Sequence, residues 1–122
     1  MIAVRTIQWI GGIAGLGALT LGLLFWIANV DFINIHMLLG LTVALALLVL
    51  GVVAVCTRGL RILGAVAIVY ALLLPVFGLR QATLLIGSMH WLIQIAHMLV
   101  GIGGLALIGI ISARYLRLKQ SA

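Results

Sequence analysis

The sequence predicts an all-α integral membrane protein, an up-down bundle of four transmembrane helices. Of its 122 residues, 66% are apolar, and the formal charges at neutral pH are limited to seven Lys or Arg and a single acid. A soluble domain usually has about a quarter of its residues charged, because its surface must be hydrated. The outer surface of this chain is therefore expected to contact the lipid bilayer.

Four apolar runs divide the chain, and together they form a single membrane domain over residues 1–122. A helix needs about 20 residues to cross the hydrocarbon core of a bilayer, and each run is long enough. The last run is long enough to tilt or to include an interfacial turn. The predicted helices cover residues 7–28, 33–56, 60–79 and 84–113.

The basic residues predict the orientation of the bundle. Short connections make neighbouring helices antiparallel, so most of the basic residues fall on one side. Only Arg80 and Asp31 fall on the other side. Positive charge is concentrated in cytoplasmic loops, so both termini are expected to be cytoplasmic, with the chain in the cell membrane. No basic groove or patch is formed, and a nucleic-acid partner is not expected. The residues on the basic side are Arg5, Arg58, Arg61, Arg114, Arg117 and Lys119.

Three histidines, His36, His90 and His97, lie within apolar sequence. A polar side chain within a membrane needs a partner, so each is a candidate functional residue. Two of them begin a repeated segment: residues 36–41 read HMLLGL and residues 97–102 read HMLVGI. The repeat predicts two related helical hairpins, with the second and fourth spans running in the same direction.

The two repeated histidines are expected at similar depth. His36 lies 22 residues before Arg58, and His97 lies 17 residues before Arg114 and 20 before Arg117. At about 1.5 Å per residue, these depths agree within roughly one turn. Two imidazoles at equal depth on facing helices could ligate one iron from both sides, which makes His36 and His97 the candidate metal ligands. The alternative is hydrogen bonding between helices without a cofactor.

Two glycines accompany the histidine pair. Gly40 and Gly101 each lie four residues after a histidine, on the same helical face. A side chain at either position would collide with a flat ring stacked beside the ligand. Both glycines are therefore candidate cofactor-binding residues.

His90 is the third candidate. It lies seven residues before His97, about 10 Å nearer the outer side on nearly the same face. It could hydrogen-bond a haem propionate, ligate a second haem, or lie at the membrane boundary beside Trp91. The interfacial interpretation is favoured, since polar and aromatic side chains concentrate at that boundary.

Two segments resemble one four-helix half of the haem A synthase family. Residues 35–40 read IHMLLG and are followed by a leucine-rich helix and a basic loop, and residues 87–99 read GSMHWLIQIAHML. The resemblance extends over roughly residues 32–113. In that family each half carries a histidine pair on its second and fourth helices. The resemblance thus implies haem ligation by His36 and His97.

The sequence also departs from that family. Family members carry a glutamate one turn before the histidine of the second helix, where this chain has Phe32 and Ile33. They often have a cysteine pair in the first outer loop, and this loop has none. Only one bundle is present, whereas the synthase has two. The resemblance therefore implies a stand-alone haem-binding half, pairing with itself or with a larger complex, and not the synthase reaction.

The expected function is electron transfer between a quinol and a partner redox protein through one bis-histidine haem b. Such iron has no open coordination position, which suits electron transfer better than oxygen chemistry. The alternative is a non-catalytic accessory subunit of a respiratory or photosynthetic complex. A transporter is disfavoured because the spans lack Asp and Glu at depth. A zinc enzyme is also disfavoured, since no carboxylate or thiolate cluster accompanies the histidines.

Overall fold

The computed structural model describes residues 1–84 and 87–121, and that part of the chain is helical with no strand. All four α-helices are long and apolar enough to cross a membrane. A 3₁₀ turn, Gln81–Thr83, follows the third helix. The helices are α1 (Ile2–Ala28), α2 (Ile33–Val55), α3 (Arg61–Arg80) and α4 (His90–Gln120).

The helix ends differ most from the sequence prediction in α4. The prediction began this helix at residue 84, but Leu84 has extended backbone angles, with φ −95° and ψ 138°. Gly87 has a φ of +104°, which lies outside the α-helical region and is readily adopted only by glycine. The helix therefore begins at His90. It continues to Gln120, because the residues after position 113 are mostly long straight-chain side chains that favour helix.

Contacts between the helices define an up-down bundle. Gly11 of α1 packs against Ala46 of α2, and Gly22 of α1 lies against His36. Residue numbers thus rise along one helix as they fall along the other, which makes α1 and α2 antiparallel. The same inverse order relates α2 to α3 through Gly51–Ile68 and Gly64–Val55, and α3 to α4 through Tyr70–Gly103 and Gly78–His97.

The four helices do not form a square in cross-section. Helix α2 contacts all three other helices, and so does α4. Between α1 and α3, the described residues make no contact. The parallel helices α2 and α4 therefore form the short diagonal of a rhombus. A side chain on the inward face of α2 meets α4 directly.

Helices α2 and α3 pack with their backbones in close approach. A Cβ at Gly64 would lie 2.7 Å from the carbonyl oxygen of Gly51 and would meet the backbone nitrogen of Val55. Backbone atoms cannot rotate away as a side chain can. Glycine at position 64 therefore allows this interface to form.

Most of the core lies in the half of the bundle next to the basic end. Its most deeply buried side chains are Leu47, Leu50, Ile108 and Ile111, each no more than 2% exposed. No described residue is buried beyond position 18 on α1, before 43 on α2, beyond 74 on α3 or before 104 on α4. The outer half, which carries the three histidines, is packed more loosely.

Candidate functional site

His36 and His97 lie opposite each other across the short diagonal of the bundle. Their ring centroids are 6.0 Å apart, and the ring planes are inclined at 67°. His36 is in the second turn of α2 and His97 in the third turn of α4. The structure thus brings together the two histidines of the repeated segment.

His36 is held in place by α1. Its Nδ1–H donates a hydrogen bond to the carbonyl oxygen of Ala18 at 2.7 Å. A carbonyl oxygen only accepts hydrogen bonds, so in the neutral ring the proton is on Nδ1 and Nε2 keeps its lone pair. The Cε1 edge of the ring lies against Gly22, where an added Cβ would be 3.2 Å away.

His97 is held by α3 in a related way. Its ring stacks on Phe77, with centroids 5.8 Å apart and planes inclined at 24°. Its Cε1 lies beside Gly78, where an added Cβ would be 3.3 Å away. Unlike His36, it has a buried Nδ1 with no hydrogen-bond partner among the described residues. An unsatisfied buried nitrogen costs free energy unless a ligand, ion or water satisfies it.

Each histidine therefore lies against a glycine of the preceding helix, His36 against Gly22 and His97 against Gly78. This relation follows the hairpin repeat, but the sequence argument did not include these two glycines. The signal was present in the sequence: residues 22–23 and 78–79 both read GL near the outer end of the first helix of each hairpin.

Gly40 and Gly101 are in open surroundings. An added Cβ at either glycine would meet nothing within 4 Å. Both glycines are one turn from a histidine of the pair, as their spacing predicted. The structure thus leaves free volume beside each of them and does not use them for close helix packing.

His90 lies apart from the pair. It is the first residue of α4, and its Nδ1 is 3.2 Å from the carbonyl oxygen of Leu84. Seven residues of helix separate it from His97, which corresponds to about 10 Å along the axis. Its position is at the outer end of the bundle, beside exposed Trp91.

Two imidazoles are too few to hold a metal ion that only protein side chains coordinate. Among residues 1–84 and 87–121, no three His, Cys, Asp or Glu side chains come together as a metal site. Haem iron needs only two protein ligands, because the porphyrin supplies the rest. Metal–imidazole bonds are about 2.0 Å, so a metal in line between the rings would place their centroids roughly 6 Å apart. The observed 6.0 Å separation is compatible with that distance, and it is also the separation of an edge-to-face contact between two rings.

A separate groove lies between α1 and α4 in the inner half of the bundle, away from the histidines. Its volume is about 380 Å³. Gly12 and Gly109 face it with open space beside them, and Trp9 at its edge is 70% exposed. The groove is lined by Gln8, Trp9, Gly12, Leu16, Leu105, Ile108 and Gly109.

The fold and the pair together define a four-helix bundle with four candidate membrane spans and two facing imidazoles in its loosely packed half. Comparisons of the chain with protein-family models, with curated proteins and with solved structures find no match. The resemblance to half of haem A synthase therefore depends on the two histidine segments of the sequence.

Proposed function

We propose that this protein is a multi-pass protein of the cell membrane that binds one haem b through His36 and His97, in the manner of one half of haem A synthase. The observation that carries the proposal is the 6.0 Å separation of the two imidazole rings. The end of the bundle with six basic residues faces the cytoplasm. Both termini are then on the cytoplasmic side.

The hydrogen bonding of the ring nitrogens supports metal ligation by the pair. His36 donates from Nδ1 to a backbone carbonyl, the usual arrangement for an imidazole that ligates a metal through its other nitrogen. His97 has a buried nitrogen without a protein partner. A pair that served only to connect two helices would be expected to hydrogen-bond across the interface. His36 makes such a bond to α1, so the support for a ligand comes from His97, whose buried Nδ1 has no partner in the described part of the chain.

The packing around the pair supports a flat ligand. On the outer side of Ala18 on α1 and of Leu74 on α3, no described residue of those helices is buried, whereas most of the core lies in the inner half. Gly40 and Gly101 leave open volume one turn from each imidazole. Entry of a planar ring would require α2 and α4 to move apart beside the pair, where their rings are 6.0 Å apart.

Electron transfer is the function that suits this site. When bound, haem would supply a one-electron redox couple. His36 and His97 would hold the iron through their imidazole nitrogens. Gly22 and Gly78 would keep the rings in place, and the apolar helices would keep bulk water from the iron. A quinol dissolved in the bilayer could donate electrons, and a redox protein could accept them.

The α1–α4 groove favours a second candidate function, that of a non-catalytic accessory subunit in a respiratory or photosynthetic complex. Outward-facing glycines let a foreign helix approach closely within a membrane. Gly12 and Gly109 meet that condition. Self-association through this face would give a homo-oligomer, and association with other chains would give a larger complex.

Quinol oxidation tests the electron-transfer function. The purified chain is mixed with a short-chain quinol in a stopped-flow instrument, and reduction of haem is followed in the visible range. Reduction by quinol at a saturable rate supports the proposal. Haem that dithionite reduces but quinol does not would contradict it and favour the accessory subunit. Arg58→Gln is the control, because Arg58 lies at the opposite end of the bundle from the pair.

A further inference from the structure

We infer that Arg80 binds the carboxylates of the haem at the outer end of the bundle, assisted by Gln81, His90 and Gln94. These four residues are called the outer rim. The inference depends on the proposed function, since it concerns how the same haem is oriented. It assigns a role to the one basic side chain on the outer side.

The closed core excludes the opposite orientation. Below the histidine pair, toward the basic end, the interior is filled by Leu47, Leu50, Ile108 and Ile111. Haem has two carboxylates on one edge, and burying an ionised carboxylate among apolar side chains is strongly unfavourable. That edge must therefore point toward the outer end, where no described residue is buried.

The outer-rim residues lie one to two helical turns farther out than the pair, on α3, the turn that follows it and α4. Phe77 stacks on the ring of His97. Arg80 and Gln81 follow Phe77 by three and four residues, so they are its neighbours one turn farther out. On α4, Gln94 precedes His97 by three residues, also one turn farther out, and is half-buried.

His90 completes the rim on α4. It precedes His97 by seven residues, two turns outward on nearly the same face. Its Nδ1 is occupied by the carbonyl oxygen of Leu84. With that nitrogen as the donor, its Nε2 would accept a hydrogen bond from a protonated carboxyl, or would donate to a carboxylate once the ring is protonated.

The charges at the outer end favour haem carboxylates that face the α3–α4 connection and not the α1–α2 connection. Asp31, the only acid in the chain, lies in the connection between α1 and α2, where its Oδ1 accepts a hydrogen bond from the backbone of Ile33 at 3.1 Å. It would repel the haem carboxylates. Arg80 would attract them, and its planar guanidinium can bind a carboxylate through two parallel hydrogen bonds.

Haem with esterified carboxylates tests the inference. Haem-free protein is titrated with haemin and with its dimethyl ester, and affinity is measured from the Soret band. The unchanged chain is compared with Arg80→Gln and with Arg58→Gln, a matched control at the inner end. Arg80→Gln is expected to weaken haemin binding about tenfold, as for loss of one hydrogen bond to a charged group, and to leave the ester nearly unaffected. Arg58→Gln is expected to change neither affinity.

The outcomes separate the two proposals. If haemin binds and Arg80→Gln changes its affinity no more than Arg58→Gln does, the inference is overturned while the proposed function stands. An equal loss for haemin and ester also overturns it, because the arginine would then act on the fold and not on the carboxylates. If neither compound binds the unchanged chain, the proposed function fails together with the inference.

Discussion

His36 lies with the Cε1 edge of its ring against Gly22, where an added Cβ would be 3.2 Å from Cε1, tighter than an ordinary van der Waals contact. His97 has the same relation to Gly78, at 3.3 Å. In each hairpin, a glycine of the first helix thus packs against the imidazole of the second helix. His36 also donates a hydrogen bond to the backbone of α1, whereas Nδ1 of His97 has no partner among the described residues. The repeat seen in the sequence is also a repeat of packing.

Enlarging Gly22 or Gly78 should displace the adjacent imidazole. Gly22→Val and Gly78→Val are each expected to cost about 1–3 kcal/mol of stability, the usual range for overpacking, and to weaken haem binding at least about tenfold. Thermal unfolding in detergent and haem titration measure the two effects. Gly12→Val is the matched control, because an added Cβ there meets nothing within 4 Å. Equal haem affinity in Gly22→Val and Gly12→Val would contradict the role of Gly22.

Gly40 and Gly101 should behave differently from the glycines beside the rings. Leucine at either position is expected to leave the stability of the haem-free protein unchanged or slightly higher, because the space is open and glycine is a poor helix former. The same leucine should lower haem affinity by occupying the volume needed for the ring. If both variants bind haem as well as the unchanged chain, these glycines do not border the cofactor.

The tautomer of His36 can be measured directly. Its Nδ1 lies 2.7 Å from the carbonyl oxygen of Ala18, which can only accept a hydrogen bond. In the haem-free protein near neutral pH, ¹⁵N NMR with selectively labelled histidine should therefore show His36 protonated on Nδ1. Assignment is made with His36→Gln. A proton on Nε2 would mean that the contact with α1 is not a hydrogen bond, and the support for metal ligation through Nε2 would be lost.

Tyr70 should stabilise the α3–α4 interface one turn inward of the pair. Its hydroxyl donates to the carbonyl oxygen of Val100 and lies where a Cβ at Gly103 would be. Tyr70→Phe is expected to cost about 1 kcal/mol in unfolding free energy. Gly103→Ala should cost more in the unchanged chain than in Tyr70→Phe, because the clash is with the hydroxyl. Additive effects in this double-mutant cycle would show that the two residues do not interact.

Much of the fold could be predicted from composition alone. Runs of apolar residues interrupted by short polar breaks gave four helices, because helices satisfy their own backbone within a membrane and no run alternates with the period of two of a barrel strand. The start of α4 was predicted too early, because residues 84–89 are apolar enough to extend the helix, while the backbone turn at Gly87 depends on a φ that composition does not reveal. The prediction ended α4 at residue 113, where the hydrophobic run stops, and so missed its continuation to Gln120.

The candidate site was only partly predictable. The repeat and the count of residues from the basic loops indicated that His36 and His97 would be close, and their rings are 6.0 Å apart. The neighbours of these rings depend on how the helices are rotated about their axes. That rotation is set by close contacts such as the one between Gly64 and the backbone of α2, and spacing along one helix does not give it. Gly22, Gly78 and Phe77 were missed for this reason.

The visible absorption spectrum of the purified protein, before and after reduction with dithionite, tests the proposed haem site most directly. Haem ligation by the pair predicts a sharp b-type α-band on reduction, lost in His36→Ala and in His97→Ala but kept in His90→Ala. Helical content by circular dichroism confirms that the variants are folded, and added imidazole should partly restore the band. A spectrum without haem absorption, even after haemin is supplied, or a band kept in both variants, would contradict it.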